Sequence, residues 1–350
     1  MSEVQKIEFA NQLLSDLRRI ISDARMKVAV TANAELTMMY WHIGERINRE
    51  ILGNQRATYG KQIIEQVARQ LQAEFGGRGF EPRSIRRMMQ FAQEFPDKQI
   101  VSPLVTKLSW SHFLLVLPLK DPLAREFYLT MAASSAWSKR SLQHEIDAML
   151  YERTALAAKP ETVVKSELAD LREKEVLSPD LVFKSPYFLE FTGLKGAYSE
   201  KSLEDSLVAH LEQFIMELGN GFSFVERQKR MIIDGEDFYL DLLFYHRKLH
   251  RLIAIDLKLG KFKAQYKGQM ELYLRWLEKY EMQEGEETPL GLLLCTEGNS
   301  EQIELLQLDK SGIRVAQYLT ELPPRELLLQ QIQQGLAASQ GLLAEETDEE

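Results

Sequence analysis

Phe238-Tyr239-Leu240-Asp241-Leu242-Leu243-Phe244-Tyr245 is apolar on both faces except for one carboxylate, and Leu252-Ile253-Ala254-Ile255-Asp256-Leu257-Lys258 follows it past a tight break at Arg247–Arg251. Runs this short and this rich in Ile, Leu and aromatic residues read as β-strands, the first central in its sheet. The break between them reads as a hairpin. Side chains alternate along a strand, so Asp256 and Lys258 share one face while Ile255 and Leu257 take the other. A lone carboxylate in an apolar strand is costly unless it is paired or binds a cation. Hairpin pairing would bring Asp241 and Asp256 within reach of one ion, with the Lys258 amine beside them. No other acid-x-Lys triplet occurs in the 350 residues.

The surrounding pattern completes an α/β plan. A helix is predicted over about Glu200–Leu218, carrying Glu204 and Glu212 and ending at Gly219-Asn220-Gly221, and a strand over Phe222–Met231 follows. Beyond the hairpin come a helix over Ala264–Tyr280, a strand Gly291–Cys295, a helix at 300–308, a strand Arg314–Leu319, and a last helix after Pro323-Pro324. Gln269 and Tyr273 stand four apart, on one face of the Ala264–Tyr280 helix. Singly, each of these polar side chains reads as a solvated helix face. Together with the strand acids they suit metal-assisted phosphodiester hydrolysis. Carboxylates favour a hard, oxygen-liganded ion, Mg²⁺ with Mn²⁺ as the substitute. Such an ion eases deprotonation of water and offsets phosphate charge, and a lysine can assist both. Lys261, Lys263 and Lys267 could hold phosphates, or simply form a solvated loop.

Residues 1–155 read as all-α. Apolar positions recur at three and four from Ile7 to Ile47 and from Ile63 to Leu71, before Gly76-Gly77-Arg78-Gly79 interrupts them. The helix that opens at Glu81-Pro82 carries Arg83, Arg86, Arg87 and Gln90, and helix, glycine turn, Arg-rich helix is compatible with a helix-turn-helix that presents its second helix to DNA. The plain alternative is a solvated basic face. Residues 156–185 read as a connector, 186–335 as the α/β domain, and 336–350 as an acidic tail.

Net charge is −9 and unevenly spread: 20 Lys and Arg against 16 Asp and Glu up to residue 150, then 23 against 36. An acidic whole argues against a purely electrostatic nucleic-acid binder, though not against local basic patches. Cys295 is the lone cysteine and sits in an apolar run, excluding a disulfide framework and a multi-cysteine metal cluster. His246 and His250 flank a turn rather than share a helix face, a poor zinc arrangement. No phosphate-binding loop or dinucleotide fingerprint occurs, so no nucleotide cofactor is expected. No secretory signal and no membrane-length apolar run appear, so a soluble cytoplasmic protein without a membrane partner, compatible with a homo-oligomer, is expected.

The order helix-Glu, strand-Asp, strand Asp-x-Lys, helix Gln-x-x-x-Tyr resembles the PD-(D/E)XK nuclease superfamily. More closely, Glu236–Arg247, then Asp256-Leu257-Lys258-Leu259-Gly260-Lys261-Phe262-Lys263 and Gly268-Gln269, resemble the YhcG-like nuclease family, and Leu108-Ser109-Trp110-Ser111-His112 with Gly79-Phe80 resembles its amino-terminal domain. The likeness covers nearly the whole chain. The family commonly has Glu where this chain has Asp256. The resemblance implies a restriction-endonuclease-like domain, a mixed sheet flanked by helices, after an all-α domain. It also implies Asp241 and Asp256 as metal ligands, with Glu204 preferred to Glu212 as the helix acid. Lys258 would be the catalytic lysine, and Gln269 and Tyr273 would complete the site. The implied role is an Mg²⁺-dependent endonuclease acting on DNA in repair or recombination. Two rivals stand beside it: a catalytically silent DNA-binding or scaffold protein that keeps the fold, and an RNA-directed nuclease.

Overall fold

Where the apolar three-and-four spacing meets no breaker, helix follows. In the computed structural model, which describes residues 3–53, 57–76, 78–157, 161–297, 300–324, 326–331 and 334, the chain divides after Asp147 into two units. The acidic tail expected at 336–350 and Gly77 of the glycine turn lie outside the described residues.

The first unit is helical: α1 (Glu3–Gly53), α2 (Ala57–Phe75), α3 (Pro82–Glu94), α4 (Lys98–Lys107), α5 (Trp110–Val116), α6 (Pro122–Ser135) and α7 (Lys139–Asp147). Helix α3 crosses α1 at Gly44, where a Cβ would lie 1.9 Å from the Met88 carbonyl oxygen, so only glycine permits the approach. Ile85, Met88, Phe91 and Ala92 bury the inner face of α3, and Phe91 packs on Phe113 and Trp110 with ring centroids 4.8 and 5.2 Å apart. Helix α4, which begins just after Pro96 and carries Pro103 within it, does not figure in the sequence pattern. It forms because Asp97 caps it, accepting from the Gln99 amide at 2.7 Å, and because Val101, Leu104 and Val105 are buried.

The second unit is a six-stranded mixed sheet between helices. Its elements are α8 (Leu150–Ala157), α9 (Glu161–Glu173), β1 (Tyr187–Phe188), α10 (Glu200–Ala209), α11 (Leu211–Leu218), β2 (Phe222–Ile233), β3 (Glu236–His246), β4 (Arg251–Lys261), α12 (Ala264–Tyr280), β5 (Leu290–Glu297), α13 (Ser300–Leu305) and β6 (Ile313–Leu319). Strand order is β1-β6-β5-β4-β3-β2. The β2-β3-β4 meander is antiparallel, and β4, β5, β6 and β1 run parallel. One apolar layer joins Leu203, Leu207 and Phe214 to the Ile253, Ile255 and Leu257 face of β4. The other joins Leu252 and Ala254 to Met270, Tyr273, Leu274 and Leu277 of α12. Asp256 and Lys258 therefore belong, by strand alternation, to the α12 side.

Besides α4 and the short strand β1, which the sequence pattern does not mark, two details depart from the sequence reading. The helix predicted over 200–218 is two, broken at His210 (φ −114°, ψ 39°), so that Leu203 and Leu207 on one piece and Phe214 and Leu218 on the other all reach the core. The stretch read as a connector carries α9, whose Val164, Leu168 and Leu171 are buried.

Candidate active site

Two turns set the register that builds the site. The β2–β3 turn is Asp234-Gly235, both with positive φ (52° and 84°) as a two-residue hairpin turn requires. It aligns Arg227 with Leu242 and Lys229 with Leu240, which puts Gln228 opposite Asp241. The β3–β4 hairpin pairs His246 with Arg251 up to Leu242 with Ile255, and stops one step short of Asp241 and Asp256. At that step the ladder opens and a side chain replaces the backbone partner: Asp241 Oδ2 accepts from the Leu257 amide at 2.8 Å. The acids thus stand abreast where the two strands part.

Asp256 is 3% exposed and pairs with Lys258, Nζ to Oδ2 2.6 Å. The ammonium also lies 5.3 Å from the centre of the Tyr266 ring. Burial, then the neighbouring Asp256 and, more weakly, Glu204 raise the Asp241 pKa to about 7, against the Leu257 amide and Lys258, which favour its charge. Asp256 is raised as well, by burial, although Lys258 opposes the rise and its carboxyl hydrogen-bonds that of Asp241. Burial works against the Lys258 charge, but Asp256 outweighs it and the lysine pKa moves up.

Glu204 on α10 is buried and doubly held: Arg227 Nε donates to Oε1 at 2.5 Å and Gln228 Nε2 to Oε2 at 2.8 Å. Arg227 also pairs with Asp205. The same Gln228 Nε2 donates to Asp241 Oδ1 at 3.1 Å, so one carboxamide links the helix acid to the strand acid. Glu212, on α11, is exposed. An open cleft of about 590 Å³ lies over this corner, lined by Glu200, Lys201, Glu204, Arg227, Gln228 and Asp241. Glu200 accepts from the Leu259 amide at 3.0 Å, tying α10 to β4.

The remaining expected residues fall at varying distances from this centre. Gln269 donates to Tyr273 Oη at 2.6 Å, and Tyr273, buried, donates to the Tyr239 carbonyl at 3.1 Å. That pair fastens α12 to β3 beside the acids. Lys261 and Lys263 are exposed, Lys261 standing 4.0 Å from Glu297. Lys267 is engaged with the Leu306 carbonyl and Glu271. In the first unit, Arg83 and Arg86 are exposed and Arg87 is half-buried, whereas Gln90 is spent internally, donating to the Leu117 carbonyl. Cys295 is buried and its thiol is pushed up to about 12 by burial, which leaves it inert at neutral pH.

Glu200, Arg227 and Gln228 do not stand out in the sequence, because Glu226–Arg230 reads as an ordinary polar strand segment. A signal was nonetheless present: a two-residue Asp-Gly turn dictates that Gln228 faces Asp241.

As a cation site, the donors are oxygen only. Among the described residues no three of His, Cys, Asp and Glu converge as a metal-binding group. Asp241 and Asp256 do converge: their carboxyls hydrogen-bond, Asp256 raises the cost of charging Asp241, and burial raises the cost of charging Asp256. Two adjoining carboxyls, Asp256 buried and Asp241 half-buried at the cleft, fit a divalent ion that keeps much of its water shell. Glu204, held by Arg227 and Gln228, stands next to that pair.

Comparison with known proteins covers both units. Residues 16–153 match the model of the DUF1016 N-terminal domain, and residues 180–334 that of the YhcG PDDEXK nuclease domain. The candidate nuclease YhcG of Escherichia coli (strain K12) is 32% identical over 92% of this chain and 93% of its own length. Among solved structures, a repair endonuclease from Pyrococcus abyssi is 21% identical over 37% of this chain and 50% of that one, at a TM-score of 0.26. A complex of EndoMS with dsDNA gives 17%, 37%, 49% and 0.27. The chain spans about half of each of those two proteins, and superpositions this loose carry no argument.

Proposed function

We propose that this chain, which belongs to the YhcG family of PDDEXK nucleases, is an endonuclease that hydrolyses phosphodiester bonds in DNA with Mg²⁺, or Mn²⁺ in its place, and that it serves DNA repair or recombination. The observation that carries the reading is the convergence of Asp241, Asp256 and Lys258 where β3 and β4 part. Asp241 and Asp256 would hold the cation. Bound there, it would supply Lewis acidity, making water easier to deprotonate and offsetting phosphate charge.

The chain's own groups supply the rest. Lys258 is held charged by Asp256, so its ammonium is available to hydrogen-bond a phosphate oxygen or orient a water. Tyr273 and Gln269 keep α12 on β3 and so fix the wall behind the acids. Glu204 extends the acidic face into the open cleft, where a strand of substrate has room to enter. Arg83, Arg86 and Arg87 of α3, with Lys261 and Lys263 at the end of β4 and just beyond it, would contact phosphates.

Purified protein incubated with linear and branched DNA, and with matched RNA, over a Mg²⁺ titration tests the reading. Cutting of DNA that requires the cation is expected, with losses of about 10²-fold or more in Asp256→Asn and Lys258→Met. Binding to DNA without cutting at any Mg²⁺ or Mn²⁺ concentration would make this a silent member of the family, and preferential turnover of RNA would reassign the substrate.

A further inference from the structure

We propose that Gln228 is a positioning residue, whose carboxamide, held out by a left-handed backbone, locks the Asp241 carboxylate in the attitude that receives the cation. The inference rests on the metal-assisted reading above and deepens it. Gln228 has φ +51°. The other positive-φ residues with side chains among those described, such as Ala136, Asp234 and His250, lie in turns or at helix ends, and Gln228 is the one inside a strand. Glutamine lacks the short local hydrogen bond that lets Asn or Asp tolerate this region, so the conformation is maintained by what surrounds it.

What it maintains is a bridge. The two hydrogens of one amide nitrogen reach Glu204 Oε2 at 2.8 Å and Asp241 Oδ1 at 3.1 Å. Since Asp241 Oδ2 already accepts from the Leu257 amide, both oxygens of that carboxylate are tied and it cannot rotate about its own axis. Glu204 is likewise tied at both oxygens, by Arg227 and by Gln228. A relaxed strand would leave Asp241 Oδ1 without this donor, and the carboxylate would have to be ordered when the cation binds. Partners that orient a ligand in this way typically govern metal affinity by about 10–100-fold.

The test is Mn²⁺ binding to the metal-free, full-length protein without DNA, followed by calorimetry, together with the thermal midpoint in chelator. Gln228→Gly removes both donors and eases the backbone; Gln228→Met removes the donors at similar size. Each is expected to weaken Mn²⁺ binding about 10–100-fold, with Gln228→Gly melting at or above the wild-type temperature. Unchanged affinity in either variant overturns the proposal, as does a loss that appears only alongside a lowered midpoint in both. If the folded wild type takes up no Mn²⁺, the metal-assisted reading fails first and takes this inference with it.

Discussion

In the unfolded chain Asp241 titrates at its ordinary value of 3.8, and in the folded protein burial, Asp256 and Glu204 hold it to about 7. Between those values the folded state binds a proton that the unfolded state has released. A carboxyl raised on folding contributes its stability below the unfolded value and loses it as pH climbs through the folded one. Asp256 is shifted the same way. The metal-free protein should therefore lose on the order of 2–4 kcal/mol between about pH 4 and pH 7.5. Mg²⁺ should flatten that slope by taking the proton's place. Asp241→Asn keeps an acceptor for the Leu257 amide but turns its NH2 toward Gln228 Nε2, so it should show a shallower pH slope than wild type in chelator and gain nothing from Mg²⁺. Melting curves across pH with chelator or Mg²⁺ decide this, and a wild-type midpoint that is flat over the window would mean the acids are not mutually strained. At this scale Asp241, Asp256 and Lys258 were legible because each is a charge isolated in an apolar run. Gln228 was not singled out, and Glu204 was preferred to Glu212 only through the family resemblance, since a polar residue among polar neighbours carries no contrast.

Strands and long helices showed through the sequence because burial imposes a period. Three runs gave β2, β3 and β4, and the acid pair followed from one short hairpin. The break at His210 left no mark, because Leu203, Leu207, Phe214 and Leu218 keep spacings of four and seven whether the helix bends or not. Helix α9 was masked by a charged context, although Val164, Leu168 and Leu171 repeat at helical intervals and are buried. Helix α3 is the element whose role depends most on its outer face. Its inner face is fixed by Ile85, Met88, Phe91 and Ala92, which leaves Arg83 and Arg86 exposed on the outer face. Replacing Arg83, Arg86 and Arg87 together with Ala should weaken DNA binding and reduce the magnitude of its log–log salt slope by up to about 3, roughly 0.9 for each phosphate no longer neutralised. The midpoint of thermal unfolding should move little. Fluorescence-anisotropy titrations at several salt concentrations give the slope, and a slope identical to wild type would remove α3 from the nucleic-acid interface.

The chain as a whole is acidic, yet the excess is confined to the residues beyond 150, and the site there is itself acidic. On the reading proposed above, a polyanion would approach Asp241, Asp256, Glu204 and Glu200, with Lys258, Lys201 and Arg227 beside them to oppose the repulsion. Arg227 is already committed to Glu204 and Asp205. A cation bound as proposed would therefore have an electrostatic part to play in substrate approach as well as in chemistry. All of these residues lie within the second unit, which owns two apolar layers on either face of its sheet. Residues 148–350 expressed alone should accordingly keep Mg²⁺-dependent cutting. Their KM for DNA should rise while kcat changes less, because the Arg-bearing α3 belongs to the other unit. Steady-state kinetics on one duplex substrate, with circular dichroism to verify that the shortened protein is folded, measure the split. A folded 148–350 fragment with kcat abolished would mean that the first unit contributes to the chemistry itself, and a fragment with unchanged KM would mean that the helical unit does not hold the substrate.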